Sequence, residues 1–348
     1  MISLEHKPAR TPLLQRRGTE ATLVWLLRLS TYCSLGIGCA IFGLVFFKGI
    51  SSLLVPGFPW FDFSFFTEAP ESLYVFEWNG EEQVLGASAF DAFIASSGID
   101  VDSLQLKVLS YAAGGILPAI IGTLLLIVGT MLISLLMGTA VAIYLSEYSR
   151  DTVFIRAVRL AIVNLAGVPS IIYGLFGLGV FVLLFNFGQS VLAGWATLSI
   201  LALPLIITAS EEALRGIPWS IREASLALGA TRWQTIYRNV LPQAFPQLLT
   251  SGILTMVRVG GETAPILFTA ALAFRDHLPW EGEDRWAFLT EGIMALPYHL
   301  YIVATRLPVT DASTRAQYGT ATTLLLLLLG ISLVAGIVRS VFRRRMAH

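Results

Sequence analysis

The chain has 348 residues, of which 55% are hydrophobic and 13% charged, and its mean hydropathy is +0.72. An average globular domain carries roughly 25% charged residues. So little polar surface excludes a soluble enzyme, a disordered chain and a disulfide scaffold. The 23 basic and 23 acidic residues cancel, so no overall basic field points to nucleic acid.

Residues 1–22 form a tail carrying Lys7, Arg10, Arg16 and Arg17. Residues 23–47 are the first stretch long enough to cross a bilayer, which takes about 20 apolar residues. Its apolar part is too long for a signal peptide, and no A-x-A site follows before Lys48. Arg28 sits close enough to its start to snorkel. Cys33 and Cys39 lie in the same run without companion ligands, so they read as small hydrophobes and not as a metal site. Residues 48–116 make a long acidic connection. In it Phe58, Trp60, Phe61, Phe63, Phe65 and Phe66 read as an interfacial aromatic belt or a partner contact.

Further spans are expected at 117–145, 160–185, 190–208, 247–273 and 320–338. Pro118 opens the second span and Pro169 interrupts the third. Residues 286–304 are apolar but broken by Glu291, Pro297 and His299, so they read as a re-entrant or interfacial segment and not a seventh span. A basic tail, 342–348, closes the chain with Arg343, Arg344 and Arg345. The expectation is an all-α integral membrane protein with six transmembrane helices. Its core domain is 117–341, with a loop at 209–246 between spans four and five.

Positive charge sets the expected orientation. Both tails are rich in arginine, as are the second connection (Arg150, Arg156, Arg159) and the fourth (Arg215, Arg222, Arg232, Arg238). The opposite connections hold only Lys48, Lys107, Arg275, Arg285, Arg306 and Arg315. Both termini are therefore expected in the cytoplasm.

The fourth connection is the most informative. Pro218 suits a helix start, Trp219–Leu228 lack breakers, Gly229 suits a helix end, and Thr231 can cap a second helix, Arg232–Val240. Small residues Ala224, Ser225 and Ala227 would let another backbone approach. Trp219, Ile221 and Leu228 could fill a partner's cleft. The run Glu223-Ala224-Ser225, then Gly229, then Asn239-Val240-Leu241-Pro242 resembles the permease subunits of bacterial ABC importers. Their loop follows the pattern E-A-A, three residues, G, nine residues, I-x-L-P. Ser225 and Asn239 depart from it. The resemblance implies that Glu223, Ala224, Gly229, Leu241 and Pro242 belong to a coupling helix docked on an ATPase. The chain lacks a P-loop of its own: none of Lys7, Lys48 and Lys107 falls in that pattern. ATP and Mg would therefore sit on a partner, with no cofactor bound by this chain.

In the fifth span, Arg258 and Glu262 are spaced i, i+4 and can pair. Each costs roughly 2.5–3.5 kcal/mol at a span's centre, so an intramembrane pair reads as functional. Counted from residue 247, Arg258 falls near the midplane. Thr123, Ser170 and Thr263 add hydroxyls beside proline-broken helices, and together these residues make a candidate anion path. Thr123 is the one expected to bond local backbone instead. The run Gly261-Glu262-Thr263-Ala264-Pro265 is similar to the PstA-type permease of the bacterial phosphate importer. So are 114–123, 166–177 and Ala295-Leu296-Pro297-Tyr298. That likeness implies a second permease (PstC-like), an ATPase dimer (PstB-like), an external phosphate-binding protein (PstS-like), and a multi-pass place in the bacterial cytoplasmic membrane. Sulfate or molybdate import remains an alternative, as do a secondary anion transporter and a phosphate sensor.

Overall fold

The computed structural model describes residues 13–54, 62–78, 81–97, 107–272, 278, 286–307 and 309–346. Lys7, Arg10, Phe58, Trp60, Phe61, Arg275 and Arg285 lie outside the described residues, as do the side chains of Arg16, Arg17 and Arg343–Arg345.

Among the described residues five helices are long and apolar enough to span a bilayer, and a helix pair bent by 101° passes the same test taken together. Helix α1 (Leu13–Leu53) is one continuous rod. Over 20–48 its side chains are almost all exposed, and it meets the bundle only near its end. There Thr322 donates to Val45 O at 3.2 Å, and Gly49 lies against Thr322, leaving no room for a Cβ.

The long connection that follows is folded. A short helix α2 (Ser64–Thr67) precedes strands β1 (Pro70–Trp78) and β2 (Glu81–Gly86), helix α3 (Ala87–Ser97) and strand β3 (Lys107–Gly114). The strands form an antiparallel sheet in the order β2-β1-β3. Alternation puts Tyr74, Phe76 and Trp78 on one face of β1, where Phe90 and Phe93 of α3 pack on them with ring centroids 4.3–5.7 Å apart. Phe65 is not part of an interfacial belt. It is 4% exposed and packs with Leu53, Ile116 and Leu296.

Helix α4 (Leu117–Ile143) continues through a π-helical turn, Tyr144–Tyr148. The third crossing is broken. Helix α5 (Val153–Ala166) meets α6 (Ser170–Gly177), which runs on as a π segment to Leu184, at an angle of 101°. Pro169 explains the break: it cannot donate a helical hydrogen bond, and it pushes Val168 out of helical geometry. Helix α7 (Val191–Arg215) is the central crossing. Its N-terminal amides are satisfied by the Ser190 hydroxyl and by Glu291 O.

Helices α8 (Trp219–Ala227) and α9 (Arg232–Thr235) occupy the loop at the far end of α7. The second loop helix does not stand alone: α9 passes through a π turn, Ile236–Val240, into α10 (Leu241–Gly261). The wider turn relieves the clash of the Pro242 ring with the preceding carbonyls. After a break come α11 (Ala264–Thr269), then α12 (Leu296–Arg306) and α13 (Asp311–Met346). Residues 293–297 enter the bundle. Met294, Ala295 and Leu296 are fully buried, and Gly122 of α4 lets the Met294 carbonyl approach. The main core joins α4, α7, α10 and α11 through Leu126, Met131, Leu198, Ile206, Val259 and Ile266.

Candidate functional site

The expected residues fall into two regions at different heights. Within the bundle, α10 stops at Gly261, and Glu262 is extended, with φ −77° and ψ 118°. Two glycines before a non-helical residue make that stop inexpensive. Arg258 Nε still reaches Glu262 Oε1 at 3.4 Å. The pair therefore closes around a helix end and not down one face. The helix also starts earlier than 247, at Arg232, so Arg258 lies in the last turn of a 30-residue rod.

The two partners face differently. The Glu262 side chain is 17% exposed, that of Arg258 46%. Beside Glu262, between Thr123, Leu126 and Pro297, only about 10 Å³ is free, roughly room for one water. Arg258 is thus the member turned toward the chain's surface. Ser170 and Thr263, both half-buried, head α6 and α11. These two short helices touch: a Cβ on Gly174 would sit 2.8 Å from Ala264 O. Tyr173 braces the 101° bend by donating to Leu165 O at 2.7 Å. Thr123 is buried and fully used. It donates to Ala119 O at 2.7 Å and accepts from Leu296 N at 2.8 Å, so it holds the 293–297 segment on α4.

The second region is the loop. Glu223 and Ala224 lie on the exposed face of α8. Gly229 has φ +84° and ends α8 in a Schellman motif, with Gly229 N donating to Leu226 O and Ala230 N to Ser225 O. Thr231 and Gln234 make a full capping box for α9. Trp219, Leu228, Trp233 and Tyr237 are exposed, Leu228 to 90%. Leu241 is different. It packs with Ala142, Leu214 and Val240 and anchors the loop to the bundle, beside a half-buried Pro242.

Three features were not legible in the sequence. The two departures from the loop pattern meet: Asn239 Nδ2 donates to Ser225 Oγ at 3.0 Å, and Ser225 also bonds Thr235 at 2.9 Å. Arg222, next to Glu223, is buried and forks onto Glu147 with bonds of 3.0 and 2.6 Å. Arg159 bonds Glu211 at 2.8 Å, and Arg215 reaches the same oxygen. Only the charge of Glu147, at the end of an otherwise uncharged span, hinted at a partner, and that partner is 75 residues away.

A crossed bundle of spans with a broken third crossing, a broken fifth crossing and a helix-glycine-helix loop defines an importer-type permease. Solved structures agree on the fold. An inward-facing methionine transporter, MetNI, matches with TM-score 0.50 at 18% identity, over 65% of this chain and 96% of its own. A bacterial ABC transporter for alginate matches with TM-score 0.50 at 13% identity, over 92% and 98%. The chain belongs to the family described as binding-protein-dependent transport system inner membrane component, whose profile matches residues 134–348. It is 34% identical over 253 residues to the phosphate transport system permease protein PstA 1 of Mycobacterium tuberculosis (strain ATCC 25618 / H37Rv), covering 72% of this chain and 78% of that protein. It is 33% identical over 215 residues to the probable ABC transporter permease protein YqgI of Bacillus subtilis (strain 168), covering 60% and 73%. The chain is thus a multi-pass membrane permease of the PstA type.

Proposed function

We propose that this chain is one of two permeases in an ATP-driven importer of inorganic phosphate. The observation that carries the substrate is the likeness, at 34% identity over 253 residues, to a permease named for phosphate transport. The geometry is consistent with an oxyanion. A guanidinium presents a fork of donors suited to one, and Arg258 holds its fork at the break between α10 and α11. The inner side of the Arg258–Glu262 pair is packed, with about 10 Å³ free. The path therefore runs along the surface where Arg258 lies, and a second permease supplies the other wall. Arg258 is the substrate-facing residue; Glu262 orients it, and Ser170 and Thr263 flank the break. Thr123 holds the wall.

The α8 face with Glu223 and Ala224 receives a separate ATPase dimer, which carries the ATP and Mg. An external binding protein delivers phosphate at the sheet-bearing end. Both termini lie in the cytoplasm of a bacterial cell, and the spans sit in its cytoplasmic membrane.

Uptake of labelled phosphate, normalised to assembled complex, tests this. Arg258→Gln/Glu262→Gln should assemble with the ATPase, because removing both charges leaves neither uncompensated. It should import no phosphate, and Arg258→Lys should be badly impaired, since a point charge does not reproduce the fork. Wild-type uptake by the double variant would leave a packing ion pair. Competition by sulfate or molybdate at equal concentration would reassign the substrate.

A further inference from the structure

We infer that Arg222 is the positioning residue that passes motion of α8 into the bundle, by tying three helices to one guanidinium. The inference rests on the ATPase-docking part of the proposed function and not on phosphate as substrate.

Arg222 is 5% exposed although it lies in a surface loop. Its Nε donates to Glu147 Oε2 at 3.0 Å and its Nη2 to Glu147 Oε1 at 2.6 Å, a bidentate fork. Nη2 also donates to Leu214 O at 2.9 Å, and Nη1 to Ile217 O at 2.8 Å. One side chain thus fixes α8 to the π turn that ends α4 and to the C-terminal turn of α7. Its neighbour in sequence, Glu223, lies on the exposed face of α8. A push on that face therefore acts one residue from the node.

A second arginine carries the connection on. Arg159 of α5 donates through Nη2 to Leu145 O, in the same π turn, at 2.8 Å. Its Nε donates to Glu211 of α7 at 2.8 Å. The π turn leaves Leu145 O with acceptor capacity that a regular helix would direct along its axis. From α5 the chain passes through the 101° bend into α6, which packs on α11 beside the Arg258–Glu262 pair. Breaking a buried charge pair on one side leaves the other charge uncompensated, so α8 cannot shift freely of α4 and α7. They move together.

The test uses the complex as purified with its ATPase and placed in lipid vesicles. Cys33 and Cys39 are replaced by alanine, and a cysteine at Leu175, exposed on α6, reports movement through its rate of thiol labelling. ATP should change that rate in the otherwise unaltered complex. In Glu147→Gln and in Arg222→Lys, ATP should still be hydrolysed, but the change should vanish. Uptake per ATP should fall by roughly 5–150-fold, the usual span of coupling between linked sites. Arg222→Lys keeps the positive charge against Glu147, so a merely structural ion pair would leave both readouts at wild-type values. That result overturns the inference. Failure of both variants to assemble would also overturn it, because the node would then serve folding alone. Labelling does not depend on the solute. A complex that moves α6 but imports no phosphate would overturn the substrate assignment and leave the node standing.

Discussion

Gly229 shows how one backbone angle sets the loop between α7 and α10. Its φ of +84° is in the left-handed region, while a Cβ there would meet nothing within 4 Å. Conformation alone therefore selects glycine, and an L side chain pays roughly 1–2 kcal/mol. Gly229→Val should lower the amount of ATPase that stays bound through purification, whereas Gly229→Asn, which tolerates this region, should keep most of it. Equal retention by valine and glycine would show that the end of α8 does not matter for docking. Asp62 is a second residue with a definite environment. Burial disfavours its charge, but the Ser64 hydroxyl and amide and the Arg315 guanidinium outweigh that, and its pKa lies below the usual 3.8. A lowered folded pKa stabilises above the unfolded value and is lost as pH falls through the folded one. Asp62→Asn should therefore melt below wild type at neutral pH, and the gap should close as pH falls below about 3.8. A gap that stays constant into acid would mean that the carboxylate contributes no charge-dependent stability.

Helices α6 and α11 depend on close approach. Gly174 meets Ala264 O and Pro265, so a methyl group there must push a backbone aside, while Gly179 on the same segment faces open space. Gly174→Ala should destabilise the chain by about 1–3 kcal/mol and reduce uptake. Gly179→Ala should be neutral or slightly stabilising. Thermal unfolding in mild detergent checks both, and equal melting temperatures would show that the two helices are not tightly seated. Much at this scale was visible in the sequence: Pro169 marked the bend, Gly229 the helix end and Thr231 the cap. The break after Gly261 was less visible, because Arg258 and Glu262 at i, i+4 read as one helical face. The sheet in 62–114 was missed for a different reason. Its packing is Tyr74, Phe76 and Trp78 on Phe90 and Phe93, and alternation over so short a strand is masked by a generally aromatic composition.

At the scale of the molecule, α1 is the outlier. Its exposed apolar length is surface for lipid or for another subunit, and the bundle itself is built from α4 to α13. The proposed orientation rests on charge. A reporter fused after Ala347 should be cytoplasmic, and one inserted at Gly80, between β1 and β2, should be external. Finding both on one side would remove the positive-inside assignment. On the proposed orientation the face with Trp219, Leu228 and Trp233 is on the cytoplasmic side, where an ATPase would reach it.

Composition, apolar run length and the Glu223–Pro242 spacing were enough to establish a multi-pass membrane permease of the importer type. These signals are local or additive along the chain: a bilayer reads segment hydropathy, and helix caps and glycine stops act within a few residues. Side-chain pairings between distant segments are of another kind. That Ser225 and Asn239 bond each other, that Thr123 is consumed by Leu296, and that Arg222 grips Glu147 all depend on how separate helices are seated. A side chain's type states what it can bond, but its partner is chosen by which backbones approach, and that is a property of the packed bundle.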